Sequence, residues 1–472
     1  MRGRRRTRLR SGILFRRQAD RPSATVGGRT LSNVIQRFTW KEMTDSERER
    51  LYSRGAAGDL AVELHASIGG LVDDVKNRGD AAVVDALARF DGIEIEASGL
   101  RVSSAEVSAA VDSVGRELRA AISQMIRNIR LFNEALLERR GSWQTEIAPG
   151  HIVGEKVGPV ASAALFCPSG KASYPSVLAQ IATPAVVAGV EQLSVIVPPV
   201  PGGSGEVDEA VLVVAHELGL DTIFRVNGPA GIAAAAFGTE TISSQGMVIG
   251  PGSPAVALAQ LAVRAEGVDT VVMGPTESLV IADSTADITL LAADLLNEAE
   301  HGTDSTVVLV TDDADVIEQV DREAIRQAAE LPMARRTAVQ ASLGENGGAV
   351  LVDSLDQACE VANWFAAEHC QLAVQDPVTV AQGIEHAGEL LLGQLTPFSV
   401  GNFTLGGPAA LPTGGYANRA GGITVENYLK AAAIGHLDDT AFNNVAASTI
   451  ALSEHEGFPA HANAIRVRGE RH

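Results

Sequence analysis

Four short stretches of this chain carry side chains suited to chemistry. Glu298 and His301, in residues 295–302, stand three apart, beside an apolar stripe of Ile288, Leu291, Ala292 and Leu295 that reads as a helix ending at Gly302. Residues three apart on a helix share a face, so this carboxylate and imidazole could chelate one zinc ion. The alternative is a surface Glu with a His favoured by the helix C-terminus. Glu368 and His369 are adjacent where a helical pattern gives way to the apolar run at residues 371–374. The imidazole can take the proton of an alcohol and the carboxylate can activate water; the alternative is a polar loop pair. Residues 395–416 are rich in Gly and Pro, which brings backbone close to a ligand or another chain. Glu456 and His461 lie near the C-terminus. Taken singly, each stretch is compatible with plain surface.

The elements that must position these groups follow from periodicity. Residues 31–145 read as mainly helical, with apolar residues at helical spacing over 60–71 and 107–137. From about 151, short β-branched runs at 193–197, 222–226, 247–249, 270–273, 306–310 and 349–352 alternate with helical stretches. Those stretches include 208–218, 255–266, 287–300 and 314–329. Such alternation predicts parallel sheets covered on both faces. Two successive blocks, at roughly 160–275 and 276–400, read as two Rossmann-like units, and helices are expected over residues 425–433 and 440–452. No G-x-G-x-x-G follows any predicted strand, so the usual dinucleotide fingerprint is absent.

Composition narrows the classes. Of 472 residues, 46% are apolar and 20% charged, enough for two or three compact units, and no apolar run approaches a membrane span. The net charge of -20 is uneven: residues 1–30 hold ten Arg and one Asp. The acidic remainder is a poor surface for nucleic acid or anionic lipid, so neither partner is expected. The Arg-rich head reads as a disordered extension, without the apolar stretch of a secretory signal. Cys167, Cys359 and Cys370 form no disulfide or zinc motif; they read as small buried hydrophobes in a reducing cytoplasm.

In this order and spacing the segments resemble the histidinol dehydrogenase family, from about residue 31 to 467. The resemblance is carried by residues 168–178, 274–277, the Glu298–His301 stretch, 367–369, 411–415 and 456–461. It implies a homodimer whose active site is completed by the partner's C-terminal segment, and an amino alcohol oxidised to the acid in two NAD-linked steps. His369 would be the general base, and Glu368 would activate the water that attacks the aldehyde. Zinc would be held by Glu298, His301, Asn402 and, from the other subunit, His461, serving to position substrate. Glu456 and Thr276 would bind substrate together with the metal ligands, and Phe166, Ala230 and Ser253 fall at NAD-contact positions. The implied organisation is a head at 1–30, a helical region at 31–165, Rossmann-like units at 166–275 and 276–420, and a helical dimerisation tail at 421–472.

The sequence also departs from that pattern. The family's metal set of Gln, His, Asp, His reads here as Glu298, His301, Asn402, His461, so a carboxylate and an amide have exchanged places while the summed ligand charge stays at -1. Zinc accepts carboxylate and imidazole readily and amide oxygen more weakly. A substrate-contacting His is replaced by Ala409, an NAD-contacting Gln by Ala230, an Asn by Ser253 and a Tyr by Phe166. Three readings follow: a histidinol dehydrogenase, a paralogue oxidising another small alcohol such as a sulfonated propanediol, or a non-catalytic binding protein that keeps the fold.

Overall fold

Two parallel sheets, successive in the chain, carry most of the core. The computed structural model describes residues 25–26, 29–30, 34–54, 61–169, 173–271 and 273–469. Within the expected disordered head, Thr25–Val26 (β1) pairs antiparallel with Arg29–Thr30 (β2), and the other residues up to 30 lie outside the described set, as do 170–172 of one family-like motif. Strand β3 (Arg37–Thr39) precedes helices Asp45–Ser53, Ala61–Arg78, Asp80–Ala86, Ser104–Ser113 and Arg116–Arg139, so the helical reading of this region holds. Helix Arg116–Arg139 buries Ile122, Met125, Ile126 and Ile129, the three-four spacing of one apolar face. Strands β4 (Trp143–Ala148) and β5 (His151–Pro159) then pair antiparallel.

The first parallel sheet comprises β6 (Ser162–Phe166), β7 (Gln192–Val197), β8 (Ile223–Arg225), β9 (Met247–Ile249) and β10 (Asp269–Val271), in the order β10-β9-β6-β7-β8. Both faces are covered. Ala163 and Leu165 of β6 join a core with helices Pro175–Ala188 and Glu209–Glu217. Ala164 and Phe166 point the other way, into a core with helices Gly228–Phe237 and Pro254–Ala265. Because β6 begins at Ser162, this unit starts before the expected boundary at 166.

The second sheet contains β11 (Glu277–Ala282), β12 (Thr306–Thr311), β13 (Gly348–Leu351), β14 (His369–Ala373) and β15 (Glu389–Leu392), in the order β15-β14-β11-β12-β13-β3. Strand β3 thus leaves the N-terminal region to close the far edge. It is fastened by the buried Asp321, which accepts from the backbone N–H groups of Val34 at 3.0 Å and Ile35 at 3.1 Å and pairs with Arg37 at 3.3 Å.

The C-terminal tail corrects one expectation. Residues 425–433 form a short 3-10 turn (Val425–Tyr428) that runs into strand β16 (Leu429–Leu437), not a helix. Its alanines favour a helix locally, but pairing with β5 from Leu429↔Pro159 to Leu437↔His151 overrides that propensity. The buried Tyr428 hydroxyl donates to the carbonyl of Ile181 at 2.7 Å and anchors the turn. Helices Asp439–His455 and Pro459–Gly469 follow, packing on each other, with the former also touching β16. Among the described residues no helix is long and apolar enough to cross a membrane.

Candidate active site

His369 opens β14, with Glu368 immediately before it, so both stand at the amino edge of the second sheet. Open α/β sheets usually place ligands at the carboxyl edge, and this site is an exception that the chain path explains. Strand β10 ends at Val271 and β11 begins at Glu277. The five intervening residues span at most about 18 Å, so the carboxyl edge of the first sheet must face the amino edge of the second. Thr276 lies in this connection, half-buried directly before β11. Two contacts tie the edges together: Gly274 N–H donates to the Thr413 hydroxyl, and Ala409 N–H donates to the Gln180 carboxamide at 3.2 Å.

At this edge Glu368 and His369 are both buried. Glu368 accepts from Glu277 N–H at 3.2 Å, and its other oxygen lies 3.8 Å from His369 Nε2. Burial pushes the Glu368 carboxyl up to about 8 against the pull of His369, and the carboxylates of Glu277 and Glu298 add to the rise. For His369, burial acts downward, but the hydrogen bond to Glu389 and the charges of Glu368, Glu298 and Glu389 outweigh it and raise the imidazole to about 9. Glu277 is clamped below by the Arg54 guanidinium and by the N–H groups of Gly414 (3.0 Å) and Gly415 (3.2 Å). Cys370, next in sequence, is buried and its thiol is pushed up to about 12, so it is inert packing, as its type suggested.

Helix Ile288–Ala299 runs back toward the same edge and places Glu298 fully buried near its end, so it is not a surface Glu, whereas His301 just beyond the helix is exposed. Asp287 caps its start, accepting from Thr289 and Leu290 N–H. One Glu298 oxygen takes the Ser278 hydroxyl. The other faces Asn297 at 2.8 Å, the Asn402 carboxamide at 3.4 Å and His301 Nε2 at 3.8 Å. A carboxylate, an imidazole and an amide therefore converge on one point, although a buried carboxylate without a cation is costly. This donor set fits a divalent metal short of one ligand. The remaining candidates do not join it within one chain: Glu456 and His461 are exposed on the C-terminal helices, and no three His, Cys, Asp or Glu side chains among the described residues form a metal-holding group.

The positions that the resemblance assigns to NAD lie along the carboxyl edge of the first sheet. Strand β6 is flanked by β7 and β9, so the strand order reverses at its carboxyl end, where Phe166 sits. Helices Gly228–Phe237 and Pro254–Ala265 start from this edge after β8 and β9, with Ser253 capping the second. Gly250 has φ of +150°, and a Cβ there would lie 2.0 Å from the Phe166 carbonyl oxygen; one at Gly228 would lie 2.9 Å from Val256. Glycine thus lets these turns pack closely against the carboxyl end of β6, without the usual fingerprint. Ala230 and Phe166 are buried at this edge, and Ser253 is exposed.

A model of the histidinol dehydrogenase family matches residues 57–469. The chain belongs to the histidinol dehydrogenase family. It is 38% identical over 424 residues to the histidinol dehydrogenase of a Synechococcus species, covering 90% of this chain and 96% of that one. It is also 38% identical to a histidinol dehydrogenase homolog of Colwellia psychrerythraea, covering 92% and 97%. The crystal structure of histidinol dehydrogenase from Elizabethkingia anophelis is similar, with a TM-score of 0.87 and 30% identity over 93% of this chain and 99% of that one. Membership of this family makes the chain an oxidoreductase of NAD-dependent type.

Sequence reasoning missed three members of the site. Glu389 is hydrogen-bonded to His369 Nδ1 at 2.8 Å, Glu277 supports Glu368 through its N–H, and Arg54 neutralises Glu277. Glu389 left a readable signal: it heads the run Glu389–Leu392, in which alternate residues are buried, at a position where packing alone would favour an apolar side chain. Arg54 had none, because its partner lies more than 200 residues away in the chain.

Proposed function

We propose that this protein oxidises a small polar amino alcohol through the aldehyde to the acid in two NAD-linked steps, with zinc bound and L-histidinol as the candidate substrate. The observation that carries the reading is the buried Glu368–His369 pair, close enough to Glu298 of the Glu298–His301–Asn402 cluster to feel its charge. His369 Nε2 receives the alcohol proton, and Glu368, once ionised, draws a proton from the water that attacks the aldehyde. Thr276 and Glu456 contact the substrate's polar groups. Bound zinc supplies a fixed positive charge that orients the substrate's nitrogen groups, and bound NAD supplies the hydride acceptor. Glu298, His301 and Asn402 of one subunit and His461 of the other would hold the metal. A homodimer with shared sites is supported by the tail, whose exposed Leu452 and Phe458 leave apolar surface uncovered within one chain.

A second reading, oxidation of a different small alcohol such as a sulfonated propanediol, is favoured by Ala409. Its methyl group offers no hydrogen bond where the family pattern has an imidazole, and a site built to pair a substrate's polar group loses much of its selectivity without the donor. NADH formation with L-histidinol, other amino alcohols and anionic diols, together with metal analysis, decides between them. Turnover of L-histidinol that disappears in His369→Asn is the expected result. Turnover of other alcohols alone selects the second reading. Silence across the panel in zinc-loaded protein would leave a binding protein and overturn both.

A further inference from the structure

The hydrogen bond between β14 and β15 gives His369 a partner that its sequence neighbours do not supply. Glu389 lies directly across the ladder from His369, and its N–H donates to the Glu368 carbonyl at 3.0 Å, so one strand fixes the backbone of the acid/base pair and the ring of the base. Its Oε2 faces His369 Nδ1 at 2.8 Å with both side chains buried. Phe398 packs edge-on against the imidazole, ring centroids 5.9 Å apart at 77°, which blocks rotation of the ring. His369 Nε2 is 3.8 Å from Glu368, beyond hydrogen-bond range, and is the nitrogen left for a substrate.

Two further observations separate this arrangement from incidental packing. Oε1 of Glu389 is buried with no hydrogen-bond partner. Its strand neighbour on the same face, Leu391, is an ordinary buried hydrophobe. A half-satisfied buried carboxylate lowers stability relative to an apolar residue of similar size, so the fold gains nothing from it. The surroundings also make room for it: a Cβ at Gly401 would stand 2.9 Å from Oε2.

We propose that Glu389 is the positioning residue of the general base, holding His369 through Nδ1 so that the tautomer with a free Nε2 acceptor faces the alcohol. The inference rests on the reading of His369 as that base. Bound NAD would accept the hydride from the carbinol carbon; the hydroxyl proton passes to Nε2, Nδ1 keeps its proton, and Glu389 remains a carboxylate beside the imidazolium so formed. This is the logic by which a carboxylate orients a catalytic imidazole elsewhere. The charged groups acting on the ring are Glu368 on its own segment, Glu298 on helix Ile288–Ala299 and Glu389 on β15, with Glu277 on β11 acting on Glu368, whereas helix Phe398–Phe403 offers an aromatic edge.

Nitrogen-15 spectra of histidine-labelled full-length protein test the arrangement without turnover, with His369→Asn assigning the resonance. The wild type is expected to show protonated Nδ1 and unprotonated Nε2 above the pH at which the ring loses its charge. Glu389→Gln, whose amide oxygen can still accept, should keep that tautomer. Glu389→Leu should give a mixture of tautomers. In turnover, Glu389→Leu should lower kcat by about 10²-fold or more with KM little changed, and Glu389→Gln should fall between it and the wild type. A wild-type ring protonated on Nε2, or a Glu389→Gln protein with wild-type kcat and a lost tautomer preference, overturns the proposal; if Glu389→Leu does not fold, the Gln variant decides. Full activity in His369→Asn would instead overturn the assignment of the base and leave the tautomer result standing.

Discussion

At the residue scale, the site concentrates negative charge that the protein must tolerate. Glu298, Glu368 and Glu389 act on one imidazole, Glu277 stands beside Glu368, and Arg54 is bound to Glu277. The raised pKa values have two consequences. As a base, His369 must be neutral, so kcat/KM should climb with pH through about 9, and a pH profile of NADH formation checks this. For stability, Glu368 rises from 4.5 to about 8 and His369 from 6.5 to about 9, so the native state holds protons that the unfolded chain has released. Stability is fully present below the unfolded values and is lost as pH rises through the folded ones. The melting temperature of metal-free protein should therefore fall between pH 6.5 and 9, and Glu368→Gln should flatten that fall. A melting temperature constant over this window would contradict the assigned burial effects.

At the element scale, Asp321 shows how much one helix residue can hold. Removing its carboxylate in Asp321→Ala leaves the N–H groups of Val34 and Ile35 without their acceptor and should cost about 3 kcal/mol, read as a lower urea midpoint at unchanged slope. Elements of this kind divide what the sequence discloses from what it conceals. Strands such as β7 and β12 and helices such as Ile288–Ala299 were legible because their own residues carry the period of a buried run or an apolar stripe. Strand β16 was not: its alanines point to helix, and only β5, some 270 residues earlier, makes it extended. The site divides in the same way. Glu298, His301, Glu368 and His369 were found as neighbours in sequence, whereas Glu389 and Arg54 act only through pairings that the fold creates. The close packing at the β6 edge lay hidden because its glycines, at 228, 250 and 252, are scattered rather than gathered in one motif.

At the scale of the whole molecule, the proposed metal set is divided between subunits, and that division is measurable. Glu298→Ala and His461→Ala should each be inactive as homodimers. In a coexpressed mixture, each heterodimer carries one site with both defects and one with neither. About one quarter of wild-type activity should return if subunits pair at random. Separately purified and briefly mixed variants should stay inactive unless subunits exchange. Recovery near zero in verified heterodimers would mean that His461 serves the chain it belongs to.

The strand that closes the second sheet also sets a timetable for synthesis. Arg37–Thr39 emerges from the ribosome early, yet its ladder partner Gly348–Leu351 follows more than 300 residues later. Strands β4 and β5 likewise wait for Leu429–Leu437. The five strands between Ser162 and Val271 pair with one another and, at the Arg101–Phe224 bridge, with a segment made earlier, so they can assemble while the remainder is still being made. During elongation, the early edge segment must stay unpaired, its backbone donors and acceptors open to any other strand. The nascent chain is thus most exposed to misassembly in the interval between residue 39 and residue 348, and a second translating copy nearby is the most available wrong partner.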